Sequence, residues 1–201
     1  GLIHVSKDGG KNWENVTPKD APKFMMWNCV DVDPFKKGAA YFVGTRYKLD
    51  DYTPYIYKTE DYGKTWKLIT NGINKMHFTR AMRADHKRPG LLYAGTEFGM
   101  YVSFDDGASW KSFQLNMPVV PVTDMTVKEN DLIVATQGRG FYVIDDLTVI
   151  QQSKAETAAK NLHVFDVNPG WRMQMNRFSR RFGTPRNVGE NPAGPVVITF
   201  N

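Results

Sequence analysis

Three aspartates, Asp8, Asp61 and Asp105, recur in one local setting, and a repeated carboxylate raises the question of acid–base chemistry. Glycoside hydrolysis would need two carboxyls about 5–9.5 Å apart across the scissile bond. The three aspartates do not fit that role, because each is predicted to sit in its own turn. Each stands in the pattern Ser/Thr-x-Asp-x-Gly-x-x-Trp: Ser6, Asp8, Gly10 and Trp13; Thr59, Asp61, Gly63 and Trp66; Ser103, Asp105, Gly107 and Trp110. The pair from neighbouring repeats to weigh for hydrolysis is Glu97 with Asp50 or Asp51. His4, His77, His86 and His163 are scattered without metal-ligand spacing, and one cysteine, Cys29, allows neither a disulfide framework nor a CxxC motif. No metal and no cofactor is expected.

The elements that carry the motif explain it. A strand-like run precedes each copy (Leu2 to Val5, Tyr55 to Lys58, Met100 to Val102), and another follows Trp66 and Trp110. Strand, turn and strand make a β-hairpin. The Asp carboxylate is expected to accept turn amides two residues on, as in an Asx-turn. The Gly supplies a left-handed backbone, the Ser/Thr hydroxyl bonds the Asp, and the Trp folds over the hairpin. The copies start at residues 6, 59 and 103, so they lie 53 and 44 residues apart. Upstream, Ala40–Thr45 aligns with Leu91–Thr96 and Asp131–Thr136, and still earlier runs begin at Cys29, Arg80 and Thr123. Four short strands per repeat of this length are the signature of a propeller blade. A last unit keeps Gly140–Ile144, but its turn has decayed to Asp145-Asp146-Leu147. The predicted fold is all-β: about three and a half four-stranded antiparallel blades of a partial β-propeller over residues 1–150.

The repeated turn resembles the Asp-box, or BNR repeat, of sialidases, sortilin-type receptors and xyloglucanase-like glycosidases. The run Gln137-Gly138-Arg139-Gly140-Phe141-Tyr142-Val143-Ile144-Asp145-Asp146 is most similar to large secreted bacterial proteins of the sortilin-like or glycosyl-hydrolase-like BNR type. The resemblance covers residues 1 to about 150 and implies a secreted, periplasmic or cell-surface location. It implies a non-catalytic scaffold that binds protein or glycan, or else part of a glycoside hydrolase whose carboxylates lie largely on other blades. Sialidases carry an Arg-Ile-Pro motif, which does not occur here. Because closed propellers have typically 4–8 blades, the remainder of the ring is an expected partner, from the same or another chain.

The face opposite the Asp-boxes is where a ligand is expected. It gathers the loops after each second strand, with Arg46, Tyr47, Glu97 and Arg139, and the loops between blades, with Trp27, His77 and Arg80. Solvated loops with packed aromatics and a groove for sugar or peptide both suit this composition. Residues 1–150 hold 19 Lys/Arg against 18 Asp/Glu, whereas 151–201 hold 7 against 3. The body is therefore nearly neutral, which argues against nucleic acid as a partner. No apolar run reaches the ~18–20 residues of a membrane span. A short helix opened by a capping box at Ser153 and Glu156 is predicted next, within a helix-and-linker region 151–195. Residues 196–201 read as the first strand of a truncated following domain.

Overall fold

The computed structural model describes residues 1–168 and 196–200. The chain divides into two units, Gly1–Leu147 and Thr148–Asn201. The first unit holds four antiparallel sheets in sequence order. A hairpin of β1 (His4–Val5) and β2 (Glu14–Asn15) comes first. A four-stranded sheet follows: β3 (Met26–Val32), β4 (Ala40–Arg46), β5 (Asp51–Thr59) and β6 (Lys67–Leu68). The next repeats that order with β7 (Thr79–Ala84), β8 (Leu92–Thr96), β9 (Gly99–Ser103) and β10 (Lys111–Ser112). The last has three strands, β11 (Val122–Lys128), β12 (Asp131–Thr136) and β13 (Phe141–Ile144). This is an open row of blades, as the repeat pattern predicts: half a blade, two complete blades and a shortened fourth.

The turns form through the motif residues. The Thr59 hydroxyl donates to Asp61 at 2.9 Å and accepts the Gly63 amide at 2.8 Å; Ser103 does the same with Asp105 and Gly107 at 2.8 and 2.9 Å. The carboxylates accept amides four residues on, not two: Asn12, Thr65 and Ser109 donate to Asp8, Asp61 and Asp105 at 3.0, 2.9 and 2.9 Å. The wider reach follows from two consecutive left-handed residues, Tyr62 and Gly63 in one turn and Asp106 and Gly107 in another.

Where a preceding sheet is present the tryptophan also reaches across to it, and the Trp66 ring at the same time lies against Gly63 of its own turn. Trp66 Nε1 donates to the Val16 carbonyl and Trp110 Nε1 to that of Ile69, each at 2.7 Å. Both acceptors directly follow the outer strand of the preceding blade. Trp110 is 3% exposed, whereas Trp13 is 65% exposed and donates to Gly10 in its own turn.

Register corrects the alignment of the second strands by one residue. Thr59 pairs with Ala40 and Ser103 with Leu92, so Tyr41 matches Tyr93, not Leu92. Both phenols donate to an aspartate that follows the first strand, Asp33 at 3.2 Å and Asp85 at 3.3 Å. The extra residue in β4 falls at its far end. There the buried Thr45 hydroxyl has no partner, whereas those of Thr96 and Thr136 close onto Gly99 and Gly140.

Between the two complete blades the core joins Tyr41, Val43 and Ile56 to Met82, Leu92 and Ala94. Polar links run across the first strands as well: the Ala84 amide donates to Asp31 at 2.8 Å, and Arg83 pairs with Asp124 at 2.6 Å. In the second unit, two short helices (α1, Thr148–Gln152; α2, Ala155–Ala158) replace the single helix expected. Ser153 does not open a helix. Its hydroxyl donates back to the Val149 carbonyl at 2.6 Å and closes α1. Val164 and Phe200 form an isolated antiparallel bridge. The linker predicted over 169–195, with its basic residues, lies outside the described residues.

Candidate ligand face

The loops between the second and third strands, and those entering each new blade, place the predicted site residues. β4 ends at Arg46 and passes through a 3-10 turn (Tyr47–Leu49) to a left-handed Asp50, which returns the chain directly into β5. The entry to β7 carries His77, Phe78 and Arg80, and the tight β8–β9 turn carries Glu97 and Phe98. The structure brings three of the predicted residues together. Tyr47 stacks on Phe78 with ring centres 4.9 Å apart and planes 13° from parallel. The Arg80 guanidinium lies 5.7 Å from the Tyr47 ring centre and 5.2 Å from that of Phe78, and its Nε donates to Glu97 at 2.5 Å.

Arg46 is engaged beside this cluster. Its Nη1 donates to Asp51 at 2.6 Å, the Tyr55 hydroxyl donates to the same carboxylate at 2.9 Å, and the buried Arg46 Nε has no partner. Burial raises the Asp51 carboxyl, but the bonds from Thr53 and Tyr55 and the charge of Arg46 outweigh it and hold Asp51 below its usual range. The Tyr55 phenol is pushed up by burial and by the Asp51 charge. Of the carboxylates weighed for hydrolysis, Glu97 and Asp51 are thus each held by an arginine, while Asp50 is exposed at its left-handed turn position. A carboxyl held below its usual range, as Asp51 is, makes a poor general acid.

His77 stands apart from that stack. Its Nδ1 lies 2.9 Å from the Tyr101 hydroxyl, its ring packs on Phe98 at 4.7 Å, and burial lowers its pKa, which favours neutral imidazole. Trp27 belongs to an aromatic cluster with Phe42 and Tyr57, edge to face at 6.4 and 5.7 Å. Arg139 sits on the fourth sheet between Gly138 and Gly140, both left-handed, and is exposed. Neither Asp145 nor Asp146 forms a salt bridge with it among the described residues. Left exposed in these loops are Lys48, Asp50, Tyr52, Phe98, Gln137 and Arg139.

Sequence reasoning missed a polar network on the opposite side. Lys58, buried in the third strand of its blade, bridges to Asp106 of the next blade and to Glu60 at 2.7 Å. Tyr41 donates to Asp106 at 2.8 Å. Burial opposes the Lys58 charge, but Asp106 and Glu60 outweigh it and raise the pKa; Glu60, bonded by Lys36 and Lys58, falls to about 2. A cleft of about 300 Å³ opens beside this network. The signal was a lysine inside the apolar run Tyr55-Ile56-Tyr57-Lys58.

Among the described residues no group of three or more His, Cys, Asp and Glu is placed to hold a metal ion. No helix among them is long and apolar enough to cross a membrane. Residues 1–137 match the family described as sortilin, neurotensin receptor 3 (Sortilin-Vps10). The chain belongs to the Sortilin-Vps10 family. The match spans the hairpin, both complete blades and most of the fourth sheet, but does not reach β13. A comparison with curated proteins finds no match. Among solved structures, the family's blades here are similar to YCF48 bound to D1 peptide, with TM-score 0.53, 18% identity, and coverage of 72% of this chain and 45% of that one. YCF48 from Cyanidioschyzon merolae gives TM-score 0.50, 18% identity, and coverage of 73% and 47%. A Niastella koreensis GH74 enzyme gives TM-score 0.47, 14% identity, and coverage of 60% and 21%. At these identities the likeness is one of fold. The chain spans less than half the length of each of these structures.

Proposed function

We propose that this Sortilin-Vps10 family chain is part of a secreted or cell-surface β-propeller that binds a protein or glycan and scaffolds a larger assembly. The observation that carries this reading is the division of labour on the loop face. Arg46, Arg80, Glu97 and Asp51 hold one another and stiffen the loops. Tyr52, Phe98 and Arg139 are left exposed. Exposed rings on the two complete blades and an exposed guanidinium on the fourth sheet are groups that suit a planar polar ligand such as a peptide carboxylate or a sugar. We further assign the three Ser/Thr-x-Asp-x-Gly-x-x-Trp hairpins to the Asp-box class, as structural staples, and read residues 196–200 as the start of a following domain.

The test is a screen of the full-length protein on glycan and peptide arrays, followed by binding measurements on Arg139→Ala and Glu97→Gln. Arg139→Ala is expected to lose binding at unchanged melting temperature. Glu97→Gln is expected to weaken binding by loosening the Arg80 stack. Intact binding per folded molecule in both variants removes the site.

A further inference from the structure

Three loops on the face opposite the Asp-boxes end in tips of one composition, a lysine followed directly by a large apolar residue. They are Lys23-Phe24 ahead of β3, Lys48-Leu49 between β4 and β5, and Lys75-Met76 ahead of β7. All six residues are exposed, Phe24 to 81%, Leu49 to 51% and Met76 to 59%. Phe24 is also left-handed, with φ 61°. A bulky residue is disfavoured in that region, and with the ring in solvent no burial offsets the strain. None of the three lysines forms a salt bridge among the described residues.

The three tips belong to one rim. Met25, beside Phe24, lies against Gly44 near the end of β4. Tyr47 stacks on Phe78 and His77 packs on Phe98, so the Leu49 loop abuts the Met76 loop, and that loop abuts the β8–β9 turn. Charge is segregated to the same end of the blades. The loop segments there (16–25, 46–51, 69–80, 97–98, 113–121 and 137–140) hold 7 Lys/Arg against 4 Asp/Glu, whereas the rest of residues 1–150 holds 12 against 14. Two of those four acids, Asp51 and Glu97, are already held by arginines.

We propose that this rim docks on an anionic lipid surface, with Phe24, Leu49 and Met76 entering the acyl boundary and Lys23, Lys48 and Lys75 set against the headgroups. The alternation of the two residue types selects this occupant. A protein-binding patch gathers its apolar side chains into a contiguous centre from which lysine is depleted. Here every apolar tip has a lysine beside it. That arrangement fits the layer between headgroups and acyl chains. The apolar side chain enters the hydrocarbon, while the neighbouring ammonium stays level with the lipid phosphates on its flexible stem. The excess of cations on the rim draws an anionic leaflet toward it, over a range that salt shortens. The docking is peripheral and needs no spanning helix.

This inference goes beyond the ligand reading. It uses neither Arg139 nor Glu97, and vesicles contain no peptide or glycan, so each reading can fail without the other. The full-length polypeptide is sedimented with phosphatidylcholine vesicles, with and without phosphatidylglycerol, at low and high salt. The expected result is binding to the phosphatidylglycerol vesicles that weakens with salt, and little binding to phosphatidylcholine alone. Two variant sets locate the contact: Phe24→Ser with Met76→Ser, and Lys23→Gln with Lys48→Gln and Lys75→Gln. Each set should lower the vesicle binding constant by about tenfold at unchanged melting temperature. The lysine set keeps the apolar tips, so it reads the surface even where the serine pair fails to fold. No vesicle binding by the parent, or undiminished binding in a folded variant set, overturns the proposal. Loss of a captured protein or glycan in both sets, with no vesicle binding by the parent, assigns the rim to a macromolecular partner and overturns it as well.

Discussion

At the scale of single residues, the tryptophan and the aspartate of each turn do different jobs. The indole N–H of Trp110 is buried against the Ile69 carbonyl, so Trp110→Phe leaves that oxygen without its partner. A loss of about 1–3 kcal/mol is expected, while Trp13→Phe, whose bond is exposed, stays near the parent. Denaturant midpoints of the two variants check this; equal losses would remove the cross-blade role. The aspartates predict an acid limb. Bonds from Asn12 hold Asp8 at about 2, and bonds from Thr65 hold Asp61 at about 2. Burial raises Asp105, yet its Ser109 and Ser103 bonds bring it below the ordinary value. Folded pKa values below the unfolded ones mean that this stabilisation is complete above about pH 4 and is lost as pH falls toward about 2. Unfolding free energies between those limits should show a shallower slope in Asp61→Asn and Asp105→Asn; an unchanged slope would place the acid sensitivity elsewhere. The turn chemistry was legible because every donor lies within four residues of the carboxylate. The indole acceptor was not, since a main-chain carbonyl one blade away leaves no mark on side-chain identity.

Between elements, contact is set by small residues where strands of adjacent blades meet. A Cβ on Gly95 of β8 would lie 2.5 Å from Val122 Cγ1, at the junction with the fourth sheet. The backbone of Gly95 is not left-handed, so Gly95→Ala is a purely steric change. It should cost about 1–3 kcal/mol by forcing β8 and β11 apart, and Val122→Ala in the same chain should recover part of it. Thermal melts of the single and double variants decide; additive losses would mean that the two residues do not meet. The strand pattern and the blade count were readable because period-2 runs recur between turns. The one-residue shift that pairs Tyr41 with Tyr93 was not. The shared Gly-Thr ending of the two strands favoured the wrong alignment, and the register is fixed from the other end by the hydroxyl turn. Likewise Lys58 meets Asp106 across 48 residues, a neighbour that only the stacking of blades supplies.

For the molecule as a whole, the open row has two boundaries that are unpaired among the described residues, and its behaviour in isolation follows from them. At one end β1 offers a free edge beside Val30 and Val32. At the other, β13 is an outermost strand with Phe141 and Val143 exposed. Strand edges of this kind template pairing between chains, and contiguous apolar surface adds to the attraction. Charge offers little protection, because the blades carry almost balanced charge and the excess lies after residue 150. Residues 1–201 produced alone are therefore expected to associate, with a scattering mass that rises with concentration and a broad, poorly cooperative melt. Val32→Lys together with Phe141→Lys should lower that mass at fixed concentration, since each puts a charge on an exposed apolar boundary without touching the buried interface between the two complete blades. A monodisperse monomer with one sharp calorimetric transition in the parent chain would show that both boundaries are satisfied internally, and the open-row reading of the four sheets would have to be given up.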